Sequence, residues 1–303
     1  KFLTLPYYRK HKEKLKNIEA KIVIVVLAFF IFYVPLRVIA DYYFVSTRIV
    51  EYKNPNIPAA LNNFKITFVS DIQADAYTDA SRLGKYIRRV NDTNPDLVLI
   101  GGDMITSTPD YIDEAAEFVG KIKSKFGVYS CIGDHDNWAY RNDYARSLKE
   151  VEEAMRKYNV EMFNNKDTIL NVRNSRIGIT FLTSTYVEHL NAETVNDLIH
   201  KQNEADLNIL LIHQPNKLAV QKAADEGYNL FLAGHTHGGQ VTFLFPFFNL
   251  TPTLLETRFV RGDFHFGNML MVVTRGLGMS LVPMRYNSTP EIIVIVLRKI
   301  KGK

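Results

Sequence analysis

The chain has 303 residues and a single cysteine, Cys131. It therefore has neither an internal disulfide framework nor the thiolate cluster of a structural zinc site. Internal repeats and low-complexity segments are absent, which sets aside solenoids and compositionally biased regions. A broad excess of positive charge is missing from the main body as well. The net charge is +5, and much of that excess precedes Ile22, so a general nucleic-acid groove, and with it a nucleic-acid partner, is not expected.

One long uncharged apolar run occurs, from Ile22 to Leu36, and it resumes after Arg37 with Val38-Ile39-Ala40. Counted through Ala40, with Arg37 reaching towards the interface, it approaches the ~20 residues of a spanning helix. No small-residue A-x-A pattern follows it, so it reads as a retained anchor rather than a removed leader. Arg9, Lys10, Lys12, Lys14, Lys16 and Lys21 outnumber Glu13 and Glu19 ahead of it. That bias places residues 1–21 in the cytoplasm, 22–40 in the cell membrane as a single pass, and the rest outside. A helix lying on the cytoplasmic face is the alternative, and Tyr33, Tyr42, Tyr43 and Phe44 would suit an interfacial belt under either reading. Residues 41–63, with Pro55, Pro58 and several Asn, read as a linker to a domain over 64–303.

Within 64–303, five short apolar runs each end in a residue able to bind a metal. Phe64 to Ser70 leads into Asp71-Ile72-Gln73, Leu97 to Gly102 into Asp103, and Gly127 to Gly133 into Asp134-His135-Asp136. Leu207 to Ile212 leads into His213, and Leu230 to Gly234 into His235-Thr236-His237-Gly238-Gly239-Gln240. Runs of this kind read as strands buried on both faces. In open α/β sheets, function collects beyond the carboxyl ends of such strands. Carboxylates mixed with imidazoles suit Mn, Fe or Zn. Asp71, Gln73, Asp103, Asp134, His213, His235 and His237 are too many ligands for one ion, whereas two ions sharing a carboxylate would use them all. Such a pair is the usual clamp for in-line displacement at phosphorus.

In order and in strand context these blocks resemble the calcineurin-like metallophosphoesterases, whose series is D-x-H, G-D, G-N-H-D, a lone His, and G-H-x-H. The membrane-attached or exported bacterial branch looks nearest, given Gly234 to Gln240, Gly276-Leu277-Gly278, Arg285 and Pro290-Glu291-Ile292. The resemblance covers roughly residues 64–298 and implies two divalent ions, most simply Mn with Fe or Zn as substitutes. By position, Asp71, Gln73 and His237 would hold the first ion, Asp134, His213 and His235 the second, and Asp103 would bridge. A hydroxide between the ions would attack phosphorus. His135 would touch a phosphate oxygen and protonate the leaving group, with Asp136 orienting it.

Two residues depart from the family pattern. Gln73 stands where it has His, and Asp134 where it has Asn. Three ligand carboxylates then face two divalent ions, which weakens the pull on a phosphate dianion. Asp75 is a possible substitute ligand, and Tyr186 and Asn137 are candidates for the substrate pocket. His11, His189, His200 and His265 fall outside the blocks and read as surface or hairpin residues.

The expected fold is α/β, a four-layer sandwich of two mixed β-sheets flanked by helices, preceded by the transmembrane or membrane-associated helix. Helical patterns fit 79–91, 111–125, 143–158, 192–202 and 216–226. The exposed-looking apolar stretch Val241 to Phe259 reads either as a lipid-contacting lip or as a loop packed on the sheet edge. The expected function is a membrane-anchored, metal-dependent phosphoester hydrolase acting on phosphodiesters or lipid-linked phosphoesters. One alternative is a lipid-linked diphosphate hydrolase of the UDP-diacylglucosamine type on the cytoplasmic face. The other is a catalytically weakened metal- or substrate-binding protein.

Overall fold

In the computed structural model, which describes residues 4–200 and 204–301, the apolar runs become the central strands of two six-stranded sheets. The first contains β1 (Ser46–Asn54), β2 (Lys65–Val69), β3 (Leu97–Ile100), β4 (Val128–Cys131), β5 (Val160–Phe163) and β14 (Glu291–Lys299), in the order β1-β14-β2-β3-β4-β5. The second contains β6 (Lys166–Val172), β7 (Ser175–Leu182), β8 (Leu207–Ile212), β9 (Leu230–Ala233), β12 (Gly262–Phe266) and β13 (Met269–Val273), in the order β12-β13-β9-β8-β7-β6. A two-residue hairpin, β10 (Phe243–Leu244) with β11 (Asn249–Leu250), stands apart.

Both sheets are mixed. Strands β2 to β5 are parallel, as are β7, β8, β9 and β13, while β14 runs antiparallel to β2. Apolar side chains from facing strands, including Phe68, Leu99, Phe181 and Leu232, fill the space between the sheets. The outer face of the first sheet packs on α3 (Ala80–Asp92), α4 (Ile112–Val119) and α5 (Tyr144–Lys157) through Leu83, Val90, Ala116 and Val151. The outer face of the second packs on α6 (Ala192–Leu198) and α7 (Lys217–Asp225) through Val195, Ala219 and Val220. This is the expected four-layer order. A strand buried on both faces needs apolar residues at every position, which is why the runs were continuous.

The helices begin at side-chain caps. Asp79, Asp143, Asn191 and Asn216 each accept a backbone amide of the first turn of α3, α5, α6 and α7, satisfying a donor that the helix cannot. Helix α4 is shorter than the expected 111–125. It stops at Gly120, where an added Cβ would press on the side chain of Tyr158. Helix α6 ends at Leu198 rather than 202; residues 201–203 lie outside the described residues.

The segment read as a linker is corrected. Residues 46–54 form β1, paired in parallel along its length with β14. Val45, Val50 and Tyr52 are buried, and the Tyr52 hydroxyl donates to the Asn268 carbonyl. Charged and polar residues on the outward positions of this edge strand masked its pattern.

Upstream, α1 (Thr4–Ala28), a π turn (Phe29–Tyr33) and α2 (Val34–Tyr43) form one helical run. Pro35, which lacks an amide hydrogen, follows the π turn at the start of α2. Residues Lys14–Tyr43 are long and apolar enough to cross a membrane, and the large apolar side chains from Ile22 to Phe32 are exposed. The end of α2 is fixed to the body. The buried Asp41 carboxylate accepts from Arg37 at 2.8 Å and from the Thr289 hydroxyl. Arg82 and Lys85 of α3 cap the carbonyls of Tyr42 and Tyr43, placing positive charge at the negative end of the helix.

Candidate metal centre

The carboxyl ends of β2, β3, β4, β8 and β9 meet at one edge of the sandwich, and the predicted ligands meet there with them. The first sheet brings Asp71, Gln73, Asp103 and Asp134. The second brings His213, His235 and His237. Ligand atoms of Asp134, His213 and His235 lie within 4.8 Å of one another, as do those of Asp71, Asp103 and His213. His213 belongs to both groups, with Nε2 3.4 Å from Asp103 and 3.2 Å from Asp134. His237 stands beside them, its Nε2 3.6 Å from Asp71 Oδ1.

The backbone at the site is unusual. Asp71, Gln73, Asp103, His235 and His237 all have positive φ, between 48° and 69°. Left-handed backbone at non-glycine residues costs about 1–3 kcal/mol each and persists where the surroundings demand it. The turns are also tightly nested. Gly276 (φ +64°) lies so near Asp71 that a Cβ would sit 2.7 Å from its Oδ2.

Three buried atoms in this cluster have no hydrogen-bond partner: Asp71 Oδ2, Gln73 Oε1 and His213 Nε2. An unpaired buried polar atom normally costs about 1–3 kcal/mol. The Asp71 and Gln73 oxygens converge with His213 Nε2, which faces the Asp103 and Asp134 carboxylates, and this donor set fits a divalent ion. His213 Nδ1 donates to the Gly101 carbonyl at 2.6 Å, which turns Nε2 towards the Asp103 and Asp134 carboxylates.

The electrostatics agree with that fit. Burial opposes charge on His213, but Asp103 and Asp134 outweigh it and hold its pKa well above the ordinary imidazole value. Burial likewise opposes charge on His235, and its contacts with Asp134 and Glu256 bring the pKa up to about 9. Burial raises Asp103, yet His213 and His135 draw it down to about 2. Protons on the imidazoles thus balance a cluster of carboxylates, and metal ions would displace those protons. His237 differs: burial and the Arg285 guanidinium push its pKa well below the ordinary value.

His135 lies at the edge of the cluster. Its Nδ1 donates to the Thr106 carbonyl, and its Nε2 is 3.2 Å from Ser280 Oγ. Asp136 does not touch its ring. Instead Asp136 accepts from the amides of Gly133, Asp103 and Met104 at 2.8–3.0 Å. It binds two ligand-bearing turns together, and burial followed by the neighbouring Asp103 charge pushes its pKa up to about 6. Thr106, not Asp136, sets the tautomer of His135. Asp75 is also no substitute ligand, because it accepts from the amides of Tyr77 and Thr78 and from the Thr106 hydroxyl. Asn137 is a buried turn residue that donates to the Gly133 carbonyl. Tyr186 does line the cleft, stacked parallel to Trp138 and 2.7 Å from Glu256.

Several further residues support the cluster. Gln214 donates to both Asp134 oxygens at 2.9 Å, and the Tyr186 amide adds a third bond at 2.6 Å. Arg285, fully buried, ties together the carbonyls of Gly278, Arg275 and Ser288 and reaches His237 Nδ1 at 3.1 Å. Gln240 clamps the 280 loop through Ser280 and Val282. Arg285 and Gln240 lie in motifs of the family, and their partners are distant in sequence. Gln214 was discoverable only as the residue after His213. The cleft over the cluster has a volume of about 510 Å³.

Residues 64–239 match the family model described as Calcineurin-like phosphoesterase. The chain belongs to the calcineurin-like phosphoesterase family. A Bacillus subtilis relative, "Uncharacterized metallophosphoesterase YkuE", is 30% identical over 250 residues, which cover 81% of this chain and 83% of that one. A Danio rerio relative, "Transmembrane protein with metallophosphoesterase domain", is 31% identical over 82% of this chain and 56% of its own length. The Escherichia coli protein "Phosphodiesterase YaeI" is 25% identical over 77% of this chain and 82% of its own. Within this family the chain is a phosphoesterase, and its carboxylates and imidazoles form candidate groups for the divalent metals that the family uses.

Proposed function

We propose that the protein is a membrane-anchored phosphodiester hydrolase working with two divalent ions, most simply manganese. The observation that carries this reading is the pair of ligand groups sharing His213, with the unpartnered buried oxygens of Asp71 and Gln73 beside them. Asp71, Gln73 and His237 would hold one ion, and Asp134, His213 and His235 the other, with Asp103 between them. When bound, the ions supply positive charge at the phosphoryl oxygens and acidify water. His135, whose Nε2 is the ring nitrogen left free by Thr106, delivers a proton to the departing oxygen. Asp136 keeps the Asp103 and Asp134 turns in register.

Three ligand carboxylates favour a singly charged diester over a doubly charged monoester, because each adds repulsion towards phosphate charge. The exposed apolar side chains beside the cleft support a lipid-linked diester over a soluble one. The helix over Lys14–Tyr43 and the basic residues before it support a single pass with the N-terminus in the cytoplasm and the catalytic body outside.

Turnover of bis(p-nitrophenyl) phosphate by the full chain in detergent, metal-free and with added manganese, tests the reading. Manganese-dependent release of p-nitrophenol is expected. Stoichiometric metal binding without turnover would favour the metal-binding protein instead.

A further inference from the structure

The anchor and the active site share one edge of the molecule. Strand β14 is antiparallel to β2, so its first residue, Glu291, lies at the edge where β2 delivers Asp71. Strand β1 is parallel to β14 and starts opposite it, Ser46 against Glu291. The helix that feeds β1 therefore ends at the active-site edge. One residue, Asp41, follows the last apolar residue of the run, Ala40, and it is already locked to Thr289. That leaves almost no slack between membrane and body.

The same edge carries an uncharged apolar rim. No charged residue occurs from Val241 to Leu255. Phe247 is 97% exposed, Leu255 92% and Leu281 99%. This rim is continuous with the anchor's dock. Thr289 holds Asp41, and two to three residues earlier Tyr286 and Asn287 bond to Thr242. The Phe243 ring packs on Tyr286, with centroids 5.8 Å apart. Gln240 ties Leu281's neighbours, Ser280 and Val282, to the strand end that carries His237.

We infer that the rim Phe243–Leu255 with Leu281 is a bilayer-docking surface, so that the metal cleft faces the membrane from which its own anchor emerges. Leaving three such side chains in water is unfavourable, and lipid takes their apolar surface out of water. The bilayer is chosen over a protein partner because the rim joins, through Thr289, an anchor with one residue of slack. The consequence is that a phosphodiester in the head-group layer of the adjoining leaflet reaches the cleft without leaving the membrane. This inference rests on the reading of Lys14–Tyr43 as membrane-embedded.

The test uses the full chain in vesicles of phosphatidylethanolamine and phosphatidylglycerol. Single cysteines are introduced as Phe247→Cys, Leu255→Cys and Leu281→Cys, with Lys123→Cys as the control. Lys123 is exposed at the opposite edge, ahead of β4. Each is labelled with an environment-sensitive fluorophore. Cys131 is fully buried, so the unsubstituted chain serves as the labelling blank. The three rim labels should emit at shorter wavelength than the control and be quenched by nitroxide-labelled lipid, and the control should not. Rim labels that behave like Lys123 in a chain resistant to alkaline carbonate would overturn the docking while leaving the anchor intact. Rim labels shielded only at high protein density, without lipid quenching, would point to a second copy and also overturn it. Release of the chain by carbonate would overturn the anchor reading and the docking together.

Discussion

The two sheets contribute different chemistry to one centre. The first supplies oxygen donors from Asp71, Gln73, Asp103 and Asp134, and the second supplies nitrogen donors from His213, His235 and His237. The contact of Asp103 and Asp134 with His213 joins the halves. Neither half could hold a divalent pair alone. The oxygen side would be a crowd of like charges, and the nitrogen side would leave two divalent charges uncompensated. In the proposed centre, packing the sheets face to face is thus a condition of metal binding as well as of stability. Departures at Gln73 and Asp134 both fall on the oxygen side.

That comparison is broken most severely at the junction. Asp103→Ala and His213→Ala should each drop bound metal below one ion per chain and cut diester turnover at least about 1000-fold, since several kcal/mol of charge stabilisation is lost. Asp71→Ala and His235→Ala should each lose one ion and keep the other. Elemental analysis of the four variants checks this, and equal losses in all of them would remove the special status of the junction.

The next largest effect concerns stability. A chain beginning at residue 55 loses β1, hence the burial of Val50 and Tyr52 at roughly 1.5–3 kcal/mol each. Its midpoint in urea should fall well below that of a chain beginning at residue 44. Matching midpoints would return the segment to the status of a linker.

His135→Ala should slow hydrolysis of a poor leaving group by about 100-fold or more while metal content holds. An activated aryl diester, which needs no proton, should suffer less. Equal losses on both substrates would contradict a proton-donating role.

The smallest effect belongs to the oxygen side alone. Gln73→His with Asp134→Asn should shift the ratio of monoester to diester turnover towards monoesters, by no more than about tenfold, because one carboxylate charge is removed. A flat ratio with both metals retained would mean that the two departures do not set charge preference.

Much of this centre was legible before the coordinates. Continuous apolar runs announced the buried parallel strands, and the candidate ligand after each run lies at the carboxyl edge, because a parallel strand delivers its next residue there. Strand β1 escaped notice because an edge strand hides half its pattern in polar residues such as Arg48, Glu51 and Lys53. Asp136 was misjudged for a different reason. Adjacency to His135 suggested a pair, but the 3-10 turn there points the two side chains apart, towards different backbone partners. Gln214 acts through its long-range contact with Asp134, which leaves no local signature. The exposure of the 241–255 rim could be suspected from composition, but its continuity through Thr289 with the end of α2 could not.

The central claim is that the two sheets together hold a metal pair, and counting the ions tests it most directly. Full-length protein, stripped with chelator, saturated with manganese and freed of excess, should retain two ions per chain by elemental analysis. A single ion per chain at saturation, or none, would contradict the account.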